Sequence, residues 1–278
     1  MLTYGNKKSL NLSDTINSAM FFSNLIAKSY IKGYNYKNNR GGLMLTYQLN
    51  EFWDKFFIKY IESVCTFKKI DVNCAELEDY IVEKDYLDPN ERNVYGEHTA
   101  NVIDMLCYFQ EIILTGVESK KHNGKWPYVN LEQFKNLYLK LDPQGTYVDF
   151  FDKNKYPEFK TNVAKTCEET ENVEELFQLC EDLAYVYVDF HIIKPLGEFN
   201  FEYAWLVLQA PFIFKDFGIL LFHDDYDASH LINFTLLLVE KCQATDKKEW
   251  LRLPEFGRIC RGFETMSESW LLKQAVSG

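Results

Sequence analysis

The stretch EDLAYVYVDFHIIKPLGEFNFEYAWLVLQAP, residues 181–211, predicts the centre of the fold. Its first part is a long apolar run with helical spacing that ends near His191. The sequence Pro195-Leu196-Gly197 then breaks the pattern, and a second apolar run begins near Phe201. This second run is hydrophobic on most sides, which is typical of a helix buried at the centre of a protein. We therefore predict two buried helices joined by a tight turn, with one histidine beside the turn.

Most of the remaining chain carries apolar residues at the spacing of amphipathic helices. Asparagine, serine or aspartate precedes several of these segments, as expected of residues that cap helix N-termini. The predicted helices cover residues 14–33, 50–64, 75–84, 96–114, 130–141, 158–168, 172–190, 226–242 and 254–274, beside the helix that begins near residue 201. The sequence therefore predicts a mostly α-helical globule.

One short segment, residues 116–128, has a different pattern. Gly116 is expected to end the preceding helix, and Asn123-Gly124 stands between short flanks that could form strands. An Asn-Gly pair is a strong signal for a two-residue hairpin turn. We predict one small β-hairpin here, between helices.

Composition and charge exclude several classes of function. The net charge is -11 and basic residues form no cluster beyond Lys68-Lys69 and Lys120-Lys121, which disfavours nucleic-acid binding. No window approaches about eighteen uninterrupted apolar residues, and the N-terminus lacks the apolar core of a secretory signal, so we expect no membrane span. The seven cysteines lack Cys-x-x-Cys spacing, which predicts free thiols rather than a zinc site. We expect a cytoplasmic protein.

The other histidines give weaker signals for a site. His223 and His230 flank Asp224-Asp225, a grouping that could indicate a metal site. The acidic pair is better placed to cap the helix that follows, and we predict no metal site. His98 and His122 have surface-like surroundings, where we expect solvent or ordinary hydrogen bonds. Common phosphate-loop, zinc-protease and serine-hydrolase motifs are absent from the sequence.

His191 stands beside a turn that could bind an anion. Helix N-termini present free N–H groups and the positive end of a dipole, which together can hold phosphate oxygens. Gly197 gives the backbone the freedom that such a turn requires. A histidine beside it could remove a proton from an incoming hydroxyl. The alternative is a structural histidine at a helix C-terminus, where a partial positive charge is favourable.

The order of these elements resembles the Fic domain. The motif of that family reads His-Pro-Phe, any residue, Asp or Glu, Gly-Asn-Gly-Arg, and Phe190-His191 matches its apolar-His start. Gly197 corresponds to one of the loop glycines if the turn is one residue longer. Residues 205–208 resemble the apolar helix that follows the motif, and residues 116–128 resemble the flap, a hairpin that clamps the target segment. The resemblance covers residues 96–256 and implies a Fic-like core over 96–278 with a helical extension, 1–95, packed on it.

The resemblance implies a nucleotidyltransferase that moves AMP, or another phosphate-containing group, to a hydroxyl of a target protein. ATP or another nucleotide with Mg²⁺ would be the donor. His191 would be the general base, and Gly197 and Asn200 would belong to the anion-binding turn with Glu198 as the nearest candidate for the metal. The target protein would dock at the hairpin, residues 116–128.

Several residues depart from the family motif. Ile192-Ile193 replace Pro-Phe, Pro195 stands at the acidic position, and Glu198-Phe199-Asn200 replace Asn-Gly-Arg. Losing the arginine removes a charge-assisted contact to phosphate, and Glu198 would repel a triphosphate. The alternatives are a catalytically inactive Fic-like protein-binding module and an unrelated helical interaction protein. Either could be a bacterial effector in a host cytosol. The composition, rich in Asn, Lys, Tyr and Phe, is typical of an AT-rich genome. The oligomeric state is left open.

Overall fold

The computed structural model describes residues 50–70, 72–123, 131–152, 154–157, 173–222 and 225–277. Backbone contacts divide the chain into Met1–Met44 and Leu45–Gly278, and all the described residues belong to the second unit. The helices predicted over residues 14–33 and 158–168 lie outside the described residues, as does His223. The division predicted at residue 95 stays a prediction.

Eight α-helices make up most of the part that the structure describes. They are α1 (Asn50–Lys68), α2 (Cys74–Val82), α3 (Glu97–Asn123), α4 (Leu131–Leu141), α5 (Leu176–Ile193), α6 (Asn200–Phe214), α7 (Asp225–Gln243) and α8 (Pro254–Ser277). Four 3₁₀ helices lie between them, at Asp85–Leu87, Val148–Phe151, Gly197–Phe199 and Lys247–Arg252. The predicted mostly α-helical fold is confirmed.

Capping side chains explain two of the helix starts. The Asn73 side chain caps α2 by accepting a hydrogen bond from the Ala75 N–H. Asp246 caps the last 3₁₀ helix in the same way, at 2.9 Å from the Lys248 nitrogen. These short polar side chains bind backbone N–H groups that the helix itself leaves unpaired.

The predicted β-hairpin is wrong for residues 117–123. Helix α3 continues through Gly116, which is buried, and ends at Asn123. Residues 117–123 are therefore helical and cannot form the first strand of a hairpin. No strand occurs in the described ranges, and residues 124–128 lie outside them. A flap that docks a target protein at this place is not supported.

Helices α5 and α6 lie at the centre of the hydrophobic core. Helix α5 packs on α6, α7 and α8, while α3 packs on α1, α4 and α6. Helix α6 is buried over nearly its whole length, and Trp205, Leu206 and Phe212 on it are fully buried. Among the described residues, no helix combines the length and the apolar character that crossing a membrane requires.

A short non-helical segment, residues 219–222, is also buried in this core. The backbone of Leu220 in this segment is bound by Gln209, which is fully buried on α6. The Gln209 amide donates to the Leu220 carbonyl at 3.0 Å and accepts from the Leu220 N–H at 2.8 Å. A buried glutamine can replace the partners that a sheet would otherwise give to an extended segment.

Candidate functional site

The turn between α5 and α6 is short and closed by hydrogen bonds. Helix α5 ends in a left-handed residue, Lys194, with φ of 46°, whose N–H donates to the Phe190 carbonyl. The Asn200 side chain donates to the same carbonyl at 3.0 Å. The carbonyl at the end of α5 is thus bound from both sides of the turn, which fixes the start of α6 against the end of α5.

Three backbone N–H groups of this turn are already paired. The Gly197 N–H donates to the Lys194 carbonyl at 3.2 Å, and the Phe199 N–H donates to the Leu196 carbonyl at 3.0 Å. The Asn200 N–H donates to the Gly197 carbonyl. These are donors that would have to converge on a phosphate group bound here. In this structure they bind carbonyl oxygens of the turn instead.

Gly197 is needed where it lies because an aromatic ring occupies the space beside it. Its φ is +53°, in the left-handed region that glycine adopts most readily. A Cβ added at Gly197 would lie 2.3 Å from Cζ of Tyr147. The glycine therefore serves packing between the turn and Tyr147, in addition to the backbone freedom that the sequence predicts.

His191 lies in the last turn of α5 and is partly buried. Its Nδ1 is 2.8 Å from the Tyr187 carbonyl. A carbonyl oxygen can only accept, so Nδ1 carries the proton and the lone pair is on Nε2. Burial lowers the pKa of His191 from its ordinary 6.5 to about 4, while the Tyr187 carbonyl opposes that shift and Lys194 adds to it. The imidazole is neutral at pH 7.

The four residues that the sequence predicts as a site are only partly brought together. Gly197 and Asn200 are joined by a backbone hydrogen bond, and Glu198 is exposed beside them. His191 is bound to Tyr187 of its own helix. The Asn200 side chain is buried, and its Oδ1 has no hydrogen-bond partner among the described residues. The predicted roles of these residues stay predictions.

A polar cluster at the base of α6 was not predicted from the sequence. Glu202, in the first turn of α6, is completely buried. Its Oε1 forms an ion pair with Lys68 of α1 and lies 3.1 Å from Nε2 of His98 on α3. The Tyr60 hydroxyl donates to the Glu202 backbone carbonyl. One carboxylate thus links three helices, and we call Glu202, Lys68 and His98 the Glu202 cluster.

The Glu202 cluster combines a buried acid with two side chains that reach the surface. The side chains of Lys68 and His98 are 21% and 31% exposed, whereas Glu202 is fully enclosed. The second carboxylate oxygen, Oε2, has no hydrogen-bond partner in the described part of the chain. The Phe199 ring borders the cluster, with its centroid 6.2 Å from that of the His98 ring and 5.8 Å from Lys68 Nζ.

The sequence contains one signal for this cluster, a charged residue within a run that predicts a buried apolar helix. Glu202 interrupts the run that predicts a helix buried on most sides, and a buried carboxylate requires partners. The partners could not be identified from the sequence because His98 and Glu202 are 104 residues apart.

Cysteine nucleophiles and metal sites find little support in the described residues. Burial raises the pKa of Cys65, Cys107 and Cys242 to about 11, so these thiols are protonated at neutral pH. No group of three or more His, Cys, Asp or Glu side chains in the described ranges could hold a metal ion.

Comparison with known proteins adds no relative: no family model, no curated protein and no solved structure matches this chain.

Proposed function

We propose that this chain is a helical protein-binding module that does not transfer nucleotides at its central turn. The observation that carries the proposal is the pairing of the turn's own N–H groups, those of Gly197, Phe199 and Asn200. A phosphate group held at this place would have to displace hydrogen bonds that also fix the start of α6. The helices around the turn would then serve as a scaffold for binding and would not hold phosphate.

Two side chains of the turn and the Tyr147 ring beside it add to this proposal. The Tyr147 ring fills the space beside Gly197, and the Asn200 amide donates to the Phe190 carbonyl. The exposed carboxylate of Glu198 would repel a triphosphate. These side chains therefore either pack within the protein or carry a charge that disfavours nucleotide binding.

Exposed leucines on α7 offer a face for a protein partner. The inner face of α7 packs on α1 and α5. Leu236 and Leu237 are neighbours on this helix and are 65% and 40% exposed. Large apolar side chains that remain exposed together are favourable contacts for another protein. We place the partner on this face.

AMP transfer is the second candidate function, and His191 is the observation that favours it. Its imidazole is neutral at pH 7, and the hydrogen bond from Nδ1 to Tyr187 leaves the Nε2 lone pair available. A neutral histidine in a fixed tautomer is suited to accept a proton from a hydroxyl.

Two experiments on the intact protein separate these functions. Purified protein, its His191→Ala variant and a cell lysate are incubated with Mg²⁺ and labelled ATP, GTP, CTP or UTP. The binding module predicts no label transfer by either protein. Label transfer by the wild type that is lost in His191→Ala would overturn the proposal and support transfer of AMP or another nucleotide.

The second experiment tests the α7 face by affinity capture followed by mass spectrometry. A specific partner should be captured by the wild type and lost with Leu236→Glu/Leu237→Glu. The matched control is Leu87→Glu, which changes another exposed leucine (68% exposed) and should leave capture intact. Equal capture by all three proteins would exclude the α7 face as the binding site.

A further inference from the structure

The Glu202 cluster holds a histidine in one defined tautomer. Glu202 forms an ion pair with Lys68, and in such a pair the carboxylate oxygens can only accept hydrogen bonds. The hydrogen bond to His98 therefore requires the proton on Nε2 of His98. The basic lone pair then lies on Nδ1, for which the described residues offer no hydrogen-bond partner.

A buried carboxylate that accepts a hydrogen bond from one imidazole nitrogen favours protonation of the other nitrogen. When Nδ1 takes up a proton, the positive charge of the imidazolium is stabilised by the Glu202 carboxylate. Because the His98 side chain is 31% exposed, a solute can approach it from the surface. This arrangement differs from that of His191, whose ring is bound to a neutral carbonyl.

The surroundings of His98 supply two further features of a site. The Lys68 ammonium is 21% exposed and can stabilise negative charge that develops on a nearby oxygen. The Phe199 ring, half-buried beside both side chains, offers an apolar surface for an aromatic or aliphatic group. The base, His98, lies on α3, and the cation, Lys68, lies on α1. The apolar surface, the Phe199 ring, belongs to the 3₁₀ helix before α6.

We propose that His98 and Glu202 form a proton-accepting dyad that activates water toward an ester whose apolar part rests on Phe199. Nδ1 of His98 takes a proton from water as the water oxygen bonds to the ester carbonyl carbon. The bond from that carbon to the alcohol oxygen then breaks, and the alcohol takes the proton back from the imidazolium. The products are a carboxylic acid and an alcohol, and no oxidant, reductant or further reactant is consumed. This activity goes beyond the proposed binding function and does not depend on it.

The first test measures the reactivity of individual histidines in the wild-type protein. Diethyl pyrocarbonate labels unprotonated imidazole nitrogens, and peptide mass spectrometry gives the rate at each histidine at pH 8, above the ordinary histidine pKa of about 6.5. His98 should react faster than His122, although the His122 side chain is 80% exposed. A rate at His98 equal to or below that at His122 would overturn the proposal, and this comparison needs no variant.

The second test measures hydrolysis of p-nitrophenyl acetate by the intact protein. His98→Gln should lower the protein-dependent rate on the order of 100-fold, the range of a general base. Glu202→Gln should lower both this rate and the labelling rate at His98. The matched controls are His122→Gln and Glu118→Gln, which change an exposed histidine and the carboxylate 4.0 Å from it. Rates in His98→Gln equal to those in His122→Gln would overturn the proposal.

Discussion

Gly197 combines a left-handed backbone with a close approach to the Tyr147 ring. We predict that Gly197→Ala lowers the free energy of unfolding by about 1–2 kcal/mol for the backbone conformation alone. Displacing the ring, which would lie 2.3 Å from the new Cβ, adds to this loss. Urea unfolding followed by circular dichroism measures the change.

Gly262 on α8 is the matched control for this substitution. A Cβ there meets no atom within 4 Å, so Gly262→Ala should be neutral or should stabilise the helix by about 0.8–1 kcal/mol. If Gly197→Ala is as stable as the wild type, the described packing of Tyr147 against the turn is wrong.

His191 should make the protein less stable at acid pH. Burial holds its folded pKa at about 4, below the ordinary 6.5, so only the unfolded state binds the proton between these values. Stability is therefore retained above about pH 6.5 and lost as pH falls toward about 4, by at most about 1.4 kcal/mol per pH unit. The His191→Asn variant, which cannot titrate, should show a shallower decline in urea unfolding between pH 7 and pH 5. If stability falls equally with pH in the wild type and in His191→Asn, the acid destabilisation does not come from His191.

At the level of single residues, the sequence located the turn but not the contacts that define it. His191 and Gly197 could be selected because they end an apolar run and begin a turn. The ring beside Gly197 comes from Tyr147, fifty positions earlier in the chain, and the Phe190 carbonyl is bound by Asn200 only because the turn folds back. Such contacts depend on tertiary packing, which one sequence does not specify.

Among the helices, Glu202 links α6 to α1 and α3 through one buried carboxylate. Glu202→Gln removes the charge that balances Lys68 in a buried setting, and we predict a loss of about 1–3 kcal/mol in the free energy of unfolding. The partial exposure of Lys68 keeps this loss below that of a fully buried pair. Thermal and urea unfolding provide the measurement.

The Lys59–Glu62 pair on α1 provides the matched control. It is also an ion pair of lysine and glutamate, at 2.6 Å, but the Lys59 side chain is 44% exposed. Glu62→Gln should change stability by no more than about 0.5 kcal/mol, because exposed pairs contribute little. Similar effects of Glu202→Gln and Glu62→Gln would contradict the structural role of the Glu202 cluster.

Helix positions were largely predictable because apolar periodicity and capping residues act locally. The wrong prediction of a β-hairpin over residues 117–123 also has its cause in these local signals. An Asn-Gly pair is typical of hairpin turns, but asparagine and glycine also favour helix C-termini, and Asn123 is the last residue of α3. Gly116 was expected to end the helix, yet Gly116 is itself buried, as is Ile113 one turn before it, and this packing overrides the low helix propensity of glycine.

For the whole molecule, the mostly α-helical architecture follows from the sequence, whereas the resemblance to the Fic domain was predicted from an order of elements whose hairpin is not found over residues 117–123. Function has to be inferred from the turn itself. Its paired N–H groups are the reason for our proposal that the fold serves binding without nucleotide transfer.

The central claim is tested most directly by the backbone amide signals of the turn during nucleotide titration. In ¹H–¹⁵N spectra, we predict that the signals of Gly197, Phe199 and Asn200 do not shift when Mg²⁺-ATP or another Mg²⁺-nucleoside triphosphate is added. Their N–H groups donate to carbonyls within the turn and have no free position for phosphate oxygens. Saturable shifts of these three signals, absent from the amides of α7, would show that the turn binds nucleotide and would contradict the account.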